Sequence, residues 1–513
     1  MSTPQSQPAP PANQQTPANV PPSAPTPTEE IGYAVSIKNY IVWVNGLPNI
    51  RLNEIVTTGD NAKGVVISIA EDLVGVLMLD EAAIKPKQDF KRTQQQLSIK
   101  VGTQLLGRMI NPLSQPLDGK GMITIKDEPV TIEQAPRSIK SRERITDQFE
   151  TGLSLVDMLV PVAKGQRELV LGDAHSGKTG FLLDTVINQR GRKIICVYAV
   201  IGKPINEISN VVKALEANKA MEYTVVVSTS SSDKPPLIYL TPSVATTIAE
   251  YFQKRGNDVL MVLDDMGIHA KFYSEISLSL GRPPGRESYP GDIFYQHAKL
   301  IERAGRFKKE YGGGSITALP VIETNLDDFS SFMTTNLMGM TDGHLLFSAT
   351  RYHQGYRPSV DISLSVSRVG RQTQNLAQKG LADRIKALLS EANRLAAYSR
   401  LGSEISPQTL FTLKQGKQME AILKQLPLNK IPILVQMILM GLIFTPFLQQ
   451  KDEKFVEENK NTIVQYLTNK FNLSNYAKTV ATFKDDEQFI NSLSSLIPEL
   501  EKITNAQVQA QVK

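Results

Sequence analysis

The chain has 513 residues, of which 41% are hydrophobic, so it is long enough for several buried cores at roughly 100–200 residues per domain. The 56 Lys and Arg against 51 Asp and Glu give a net charge of only +5, which argues against nucleic-acid binding because such proteins carry a strongly basic face. The single cysteine, Cys196, excludes an internal disulfide, and its apolar neighbours predict a small buried side chain in a reducing compartment.

The composition of the first hundred residues predicts an arm and a first domain. Residues 1–28 contain nine prolines and no Lys, Arg, Asp or Glu, which predicts a disordered arm and not a secretory signal, so we expect a cytoplasmic protein. Residues 29–100 contain short alternating apolar runs between Gly, Asn and Asp turns. This pattern is typical of a small antiparallel β-barrel.

The rest of the chain predicts two further domains. In residues 101–375, nearly continuous apolar runs such as RELVLG and DVLMVLDD alternate with helical patterns, which predicts an α/β domain with a mainly parallel sheet. Residues 376–513 follow helical periodicity alone and predict an all-α bundle. The longest apolar run, 431–444, falls short of the ~20 residues needed to span a bilayer and therefore predicts a buried helix.

A phosphate-binding loop follows the predicted strand RELVL. The segment GDAHSGKT matches the pattern G-x-x-x-x-G-K-[ST] and opens a helical pattern, which is the context that the motif requires. Backbone N–H groups of such a loop and the N-terminus of its helix attract phosphate. The predicted nucleotide-binding residues here are Gly172, Asp173, Ala174, His175, Ser176, Gly177, Lys178 and Thr179.

Two of these residues have specific predicted roles. Lys178 is expected to reach the β- and γ-phosphates, and the Thr179 hydroxyl is expected to bind Mg²⁺. The strand DVLMVLDD ends in Asp264 and Asp265, and Asp264 is the better placed to hold the metal through water. His175 has no second His or Cys at ligand spacing, so we expect it to line the loop and not to form a metal centre.

Longer segments resemble the alpha subunit of F-type rotary ATP synthases. They are FETGLSLVDMLVPVAKGQRELVLGD around the phosphate loop, GRPPGRESYPGDIFYQHAKLIERA from Gly281, GGGSITALPVIET from Gly312 and TDGHLLFSATRYHQGYRPSVDISLSVSRVG from Thr341. The resemblance covers most of the chain from about residue 31. It implies a barrel crown, a RecA-like domain that binds ATP or ADP with Mg²⁺, and a C-terminal helical domain.

The same resemblance implies partners and a role for one arginine. Three such chains would alternate with three beta subunits around a gamma-like central shaft, with no nucleic acid and with only indirect membrane contact on the cytoplasmic side. Arg368 matches the family's arginine finger, which reaches the beta catalytic site across the interface; such fingers contribute roughly 10³–10⁵ in rate.

The chain itself is predicted to be noncatalytic. Beta subunits carry a glutamate after the second core strand, where VYAVIGKP has Lys203, and a lysine with an ordinary pKa near ~10.4 cannot take a proton from water at neutral pH. Glu323 is the nearest rival base, but the matching alpha segments carry it too. For the base of the nucleotide, the resemblance implies contacts with Tyr352, Arg357 and Gln425.

Four departures from the family pattern keep a second interpretation open. The proline-rich arm replaces the helix that docks the delta-like stator subunit, Ala174 and His175 replace an arginine and a glutamine, Gly339 replaces a serine, and similarity is loose after about residue 430. The alternative is a divergent alpha-like subunit, similar to those of some mycoplasma ATPases, that is not coupled to a proton channel.

Two other classes of protein fit less well. An RNA translocase of the transcription-terminator type would need aromatic residues among basic residues near the N-terminus, but residues 31–100 have few aromatics and no basic stripe. A structural protein that has lost its nucleotide would not need Lys178, Thr179 and Asp264 together.

Overall fold

The computed structural model describes residues 30–511 apart from 81–82, 326–327, 400–405 and 470. The proline-rich arm predicted at 1–28 lies outside the described residues. None of the described helices has both the length and the apolar character needed to cross a membrane.

The first domain is the predicted antiparallel barrel. Six strands close in the order β1-β2-β5-β4-β3-β6, with β6 pairing back to β1. Small and β-branched side chains fill its interior, among them Val42, Val56 and Val76 around Phe90. The strands are β1 Ile31–Lys38, β2 Ile41–Asn45, β3 Glu54–Thr58, β4 Lys63–Ile69, β5 Val74–Met78 and β6 Asp89–Gln96.

The central domain is the predicted α/β domain. Its strands are β7 Ser98–Ile99, β8 Met109–Ile110, β9 Val130–Thr131, β10 Gln148–Phe149, β11 Val162–Ala163, β12 Glu168–Asp173, β13 Ile194–Lys203, β14 Thr224–Ser230, β15 Asp258–Asp264, β16 Gly305–Arg306, β17 Ser315–Thr324, β18 Gly343–Phe347 and β19 Val366–Ser367. Its helices are α1 Ser154–Leu159, α2 Lys178–Asn188, α3 Ile205–Ala217, α4 Pro235–Gln253, α5 Met266–Ser279, α6 Ile293–Ile301, α7 Phe332–Met340 and α8 Ala349–His353.

Nine of these strands form one sheet in the order β19-β18-β12-β17-β15-β13-β14-β8, with β16 paired to β17. All pairs from β18 to β8 are parallel, whereas β19 and β16 run antiparallel to their neighbours. Parallel strands end at a common edge, and here the register sets Gly172 beside Glu323 and Val200 beside Asp264. The candidate site lies along this edge, as is usual for open α/β sheets.

The C-terminal domain is the predicted helical bundle. Its helices are α9 Leu376–Ser399, α10 Pro407–Leu423, α11 Ile433–Gly441, α12 Pro446–Gln449, α13 Glu453–Asn469, α14 Leu473–Val480, α15 Asp486–Ser492 and α16 Ile497–Gln511. The apolar run 431–444 is confirmed as buried helix, because Val435 and Met437–Gly441 of α11 are buried. One continuous apolar core joins this bundle to one face of the central sheet.

Candidate nucleotide-binding site

The loop between β12 and α2 needs glycine at two positions. Gly172 has a φ of +149°, and a Cβ atom there would lie 2.1 Å from the carbonyl oxygen of Phe347. Gly177 has a φ of +97°, and a Cβ atom there would lie 3.2 Å from the ring of Tyr352. Gly172 therefore has no room for a Cβ atom, and at Gly177 the positive φ and the tight contact with the Tyr352 ring disfavour a side chain.

Lys178 folds back over the loop. Its side chain is 9% exposed, and Nζ donates to the carbonyl oxygens of Gly172 at 2.7 Å and Asp173 at 2.6 Å. Burial lowers the pKa of Lys178, since the charged form loses hydration. Next to it, the Ser176 Oγ is buried and has no hydrogen-bond partner among the described residues. A loop with a buried cation and an unsatisfied hydroxyl is suited to an anionic ligand.

The two aspartates at the end of β15 have different surroundings. Asp265 accepts hydrogen bonds from the backbone N–H groups of Gly267 at 2.5 Å, Ile268 at 3.2 Å and Glu323 at 3.0 Å. It is the N-cap of α5, and burial raises its pKa to about 6. Asp264 instead lines the cavity beside the loop, which is where a metal-holding carboxylate would be needed.

A cavity of about 620 Å³ brings most of the predicted residues together. Its walls include the loop from Ala174 to Thr179, together with Lys203, Asp264, Glu323 and Tyr352. Three polar lining residues of α3, Asn206, Glu207 and Asn210, were not anticipated. The four-residue spacing of the two asparagines, which places them on one face of a helix directly after Lys203, is the signal that could have indicated them.

The residues present fit Mg²⁺ that arrives with a nucleotide. Within the described part of the chain, no group of three or more His, Cys, Asp or Glu could hold a metal by itself. The Thr179 hydroxyl and the Asp264 carboxylate are hard oxygen donors on the same cavity. Magnesium is commonly held by one or two such groups with phosphate oxygens and water completing its shell.

Tyr352 lines the cavity and stacks with Arg357, whereas neither Arg357 nor Gln425 is among the residues that line it. The Arg357 guanidinium is 3.4 Å from the centre of the Tyr352 ring, and its Nη1 donates to the carbonyl oxygen of Tyr352 at 2.6 Å. Gln425 is 2% exposed, accepts from the Ser154 N–H at 3.0 Å and donates to the Gly152 carbonyl at 2.7 Å. A contact between Gln425 and a base stays a prediction.

Arg368 follows β19 and is exposed. It does not line the cavity of its own chain, and its backbone N–H donates to the Asp342 carbonyl at 3.1 Å. Its charge also acts on Glu168, a fully buried carboxyl whose pKa burial raises far above its usual range. Arg368 therefore lies outside the cavity of its own phosphate loop.

The same regions match known proteins. Residues 152–367 match the ATP synthase alpha/beta family, nucleotide-binding domain, and residues 374–500 match the ATP synthase alpha/beta chain, C terminal domain. The chain is 38% identical to ATP synthase subunit alpha 1 of Mycoplasmopsis pulmonis (strain UAB CTIP) over 485 residues, which are 93% of this chain and 91% of that relative. The chain belongs to the ATP synthase alpha/beta family.

Other alpha subunits are similar over long stretches. ATP synthase subunit alpha of Mycoplasma mycoides subsp. mycoides SC (strain CCUG 32753 / NCTC 10114 / PG1) is 38% identical, with 93% of this chain and 92% of that protein covered. ATP synthase subunit alpha 1 of Marinomonas sp. (strain MWYL1) is 41% identical over 77% of this chain and 78% of that protein. Relatives named ATP synthase subunit alpha are thus similar to this chain over as much as 93% of its length.

Proposed function

We propose that this chain is the noncatalytic alpha subunit of an F-type rotary ATPase, where it binds Mg-ATP or Mg-ADP and alternates with beta subunits around a gamma-like shaft. The phosphate loop, Lys178, Thr179 and Asp264 would hold the nucleotide and its metal, and Tyr352 with Arg357 would lie beside the base. Bound Mg²⁺ supplies a positive charge that neutralises the phosphates.

The pairing of Lys203 with carboxylates is the observation that supports the noncatalytic role. Lys203, at the end of β13, takes the place of the carboxylate that a hydrolytic site needs, and its Nζ lies 3.2 Å from Asp264 Oδ1. Burial lowers the pKa of Lys203, but the Asp264 and Asp265 carboxylates more than offset burial, so the pKa lies above its ordinary value. A lysine that stays charged cannot act as a general base.

Arg368 would then serve a neighbouring subunit. It is exposed and absent from its own cavity, which is the placement expected of a finger that completes a site in trans. Coupling of the complex to proton transport, and its place on the cytoplasmic side of a membrane, belong to the same proposal.

The test starts from the full-length chain. We expect the full-length chain to bind ATP. The substitution Lys178→Ala should weaken this binding by at least about 100-fold, because the ammonium is the main cation at the phosphates. Lys164→Ala is the matched control, since Lys164 is also partly buried in an ion pair but lies at the other end of β15, with Asp258. ATP binding that is equal in all three proteins would contradict the proposal.

Purification of the native complex decides between the two coupling alternatives. Recovery of beta, gamma, delta and membrane channel subunits with the tagged chain would support a proton-coupled ATP synthase. Recovery of beta and a shaft without delta or channel subunits would support the uncoupled ATPase, which the proline-rich arm favours because it replaces the stator-docking helix. If no beta-like protein is recovered, the hexamer is wrong.

A further inference from the structure

Lys203 is paired with the carboxylate that the proposed magnesium site would use. Its Nζ lies 3.2 Å from Asp264 Oδ1 and 3.9 Å from Glu207 Oε2, and the Lys203 side chain is only 14% exposed. The two partners end neighbouring parallel strands, since β13 and β15 are in register up to Val200 and Asp264. The sheet therefore brings Asp264 close to the end of β13, and the Lys203 side chain spans the remaining distance.

The second oxygen of Asp264 is also engaged. The Tyr198 hydroxyl, which is fully buried, lies 3.3 Å from Asp264 Oδ2 and donates a hydrogen bond to it. A hydrated Mg²⁺ that approached Asp264 would have to share this carboxylate with the Lys203 ammonium. Two cations at one carboxylate repel each other, and the repulsion is strong where the surroundings are partly buried.

Lys203 also faces the space where phosphates would lie. It lines the same cavity as Lys178 and Thr179, so an anionic ligand there would meet two ammonium groups, one from the start of α2 and one from the end of β13. The Lys203 charge is felt at Lys178, since it is one of the groups that lower the Lys178 pKa after burial itself. A second ammonium of this kind can neutralise phosphate charge that a metal ion would otherwise neutralise.

We propose that Lys203 competes with Mg²⁺ for Asp264 and supplies part of the positive charge that Mg²⁺ would supply, so that this site binds ADP and ATP with little dependence on Mg²⁺. This inference rests on the proposed nucleotide-binding function and concerns the regulation of the same site. It predicts a subunit that keeps its nucleotide when free Mg²⁺ falls.

The experiment measures dissociation constants of ADP and ATP for the full-length chain, in excess Mg²⁺ and in excess EDTA. For the unchanged protein we expect the two conditions to differ by less than about tenfold. In Lys203→Gln, binding in EDTA should weaken, so that the EDTA-to-Mg²⁺ ratio of dissociation constants rises at least about tenfold, the size of one charge-assisted hydrogen bond. Lys203→Arg keeps the charge and should keep the ratio.

Lys164→Gln is the control, because it removes an ion pair of the same kind, with Asp258 at the other end of β15. Circular dichroism and thermal unfolding would show that each variant is folded. An unchanged ratio in a folded Lys203→Gln that still binds nucleotide would overturn this inference alone. If the unchanged protein binds no nucleotide in either condition, the proposed function fails and this inference fails with it.

Discussion

The ring of Tyr352 lies against Gly177 of the phosphate loop, and a Cβ atom at Gly177 would come within 3.2 Å of it. The Arg357 guanidinium covers the ring at 3.4 Å from its centre, which fixes the ring in place. Tyr352, packed between the loop and Arg357, thus forms part of the wall of the site.

From this wall we predict that Tyr352→Ala weakens ATP binding by about tenfold or more, since base–aromatic stacking contributes roughly 1–3 kcal/mol. Tyr352→Phe keeps the stacking face and should bind normally. Equilibrium binding of a fluorescent ATP analogue measures both variants. Tyr311→Ala, at a partly exposed tyrosine away from the cavity, is the control. Equal affinities for Tyr352→Ala and Tyr311→Ala would show that Tyr352 only packs the loop.

A second prediction concerns Gln425. In Gln425→Leu, the Ser154 N–H and the Gly152 carbonyl lose their partner in a buried site, so the free energy of unfolding should fall by roughly 2–4 kcal/mol. Thermal unfolding measures this loss. The affinity ratio of ATP to GTP, measured on the same variant, decides the separate prediction of a base contact. A lower ratio would support the contact, and an unchanged ratio would leave Gln425 with a structural role only.

The phosphate loop illustrates what the sequence could predict. Gly172, Gly177, Lys178 and Thr179 belong to one short motif whose backbone geometry follows from local spacing, and the structure brings three of them together on one cavity. The barrel, the mainly parallel sheet and the helical bundle followed from hydrophobic periodicity, because each burial pattern leaves its own repeat in the sequence.

Other relationships could not be predicted from local spacing. Gln425 bonds to Gly152 and Ser154 across more than 270 positions of the chain, a separation that only the packing of the helical domain determines. The sequence predicted different roles for Asp264 and Asp265 only from their order in the chain. In the structure the difference arises because Asp265 caps the start of α5 and accepts a hydrogen bond from the neighbouring strand. The pairing of Lys203 with Asp264 likewise depends on the order of strands in the sheet.

A third prediction tests Arg368 in the assembled complex. Arg368→Ala should lower ATP hydrolysis by roughly 10³-fold or more while the full-length chain alone binds ATP as before, because the side chain is absent from its own cavity. Steady-state hydrolysis by the purified complex and ATP binding by the chain are the two measurements. Arg371→Ala is the control, since Arg371 forms an exposed ion pair with Asp383. Similar hydrolysis rates in the two variants would contradict the finger.

A fourth prediction concerns the ion pair between Arg303 and Glu250, which are 2% and 3% exposed. Arg303 donates from Nε and Nη2 to the two Glu250 oxygens, each at 2.9 Å, so Arg303→Met leaves a buried carboxylate without its partner. The expected loss in free energy of unfolding is about 3–5 kcal/mol. Denaturant unfolding measures it, and Arg394→Met, in an exposed pair with Glu391, should change stability little. A small effect of Arg303→Met would mean that solvent reaches this pair.

A fifth prediction uses the buried histidines. His269 Nδ1 lies 3.0 Å from His297 Nε2, and burial lowers the pKa of His269 to about 4. The folded protein therefore keeps His269 neutral at pH values where the same histidine in the unfolded chain, with an ordinary pKa of about 6.5, already binds a proton. The stability that depends on neutral His269 is fully present above pH 6.5 and is lost as the pH falls towards 4.

At pH 5 the loss from His269 should be about 2 kcal/mol. The decrease in Tm between pH 7.5 and pH 5 should therefore be smaller in His269→Gln than in the unchanged protein. Buried Asp157 and Asp265, whose pKa values are raised to about 6, act in the opposite direction but are the same in both proteins. His353→Gln, at an exposed histidine, should keep the full decrease, and equal decreases in all three proteins would contradict the assignment.

Asp157 gives the helical domain a second anchor on the nucleotide-binding domain. Its carboxylate is fully buried and accepts from the N–H groups of Thr151 and Gly152, and also from Gln436 Nε2 of α11 at 3.0 Å. The helical bundle is therefore held at α1, ahead of the phosphate-loop strand, as well as by the chain that follows β19. A movement of the bundle would therefore be transmitted to α1, ahead of the strand that leads into the phosphate loop.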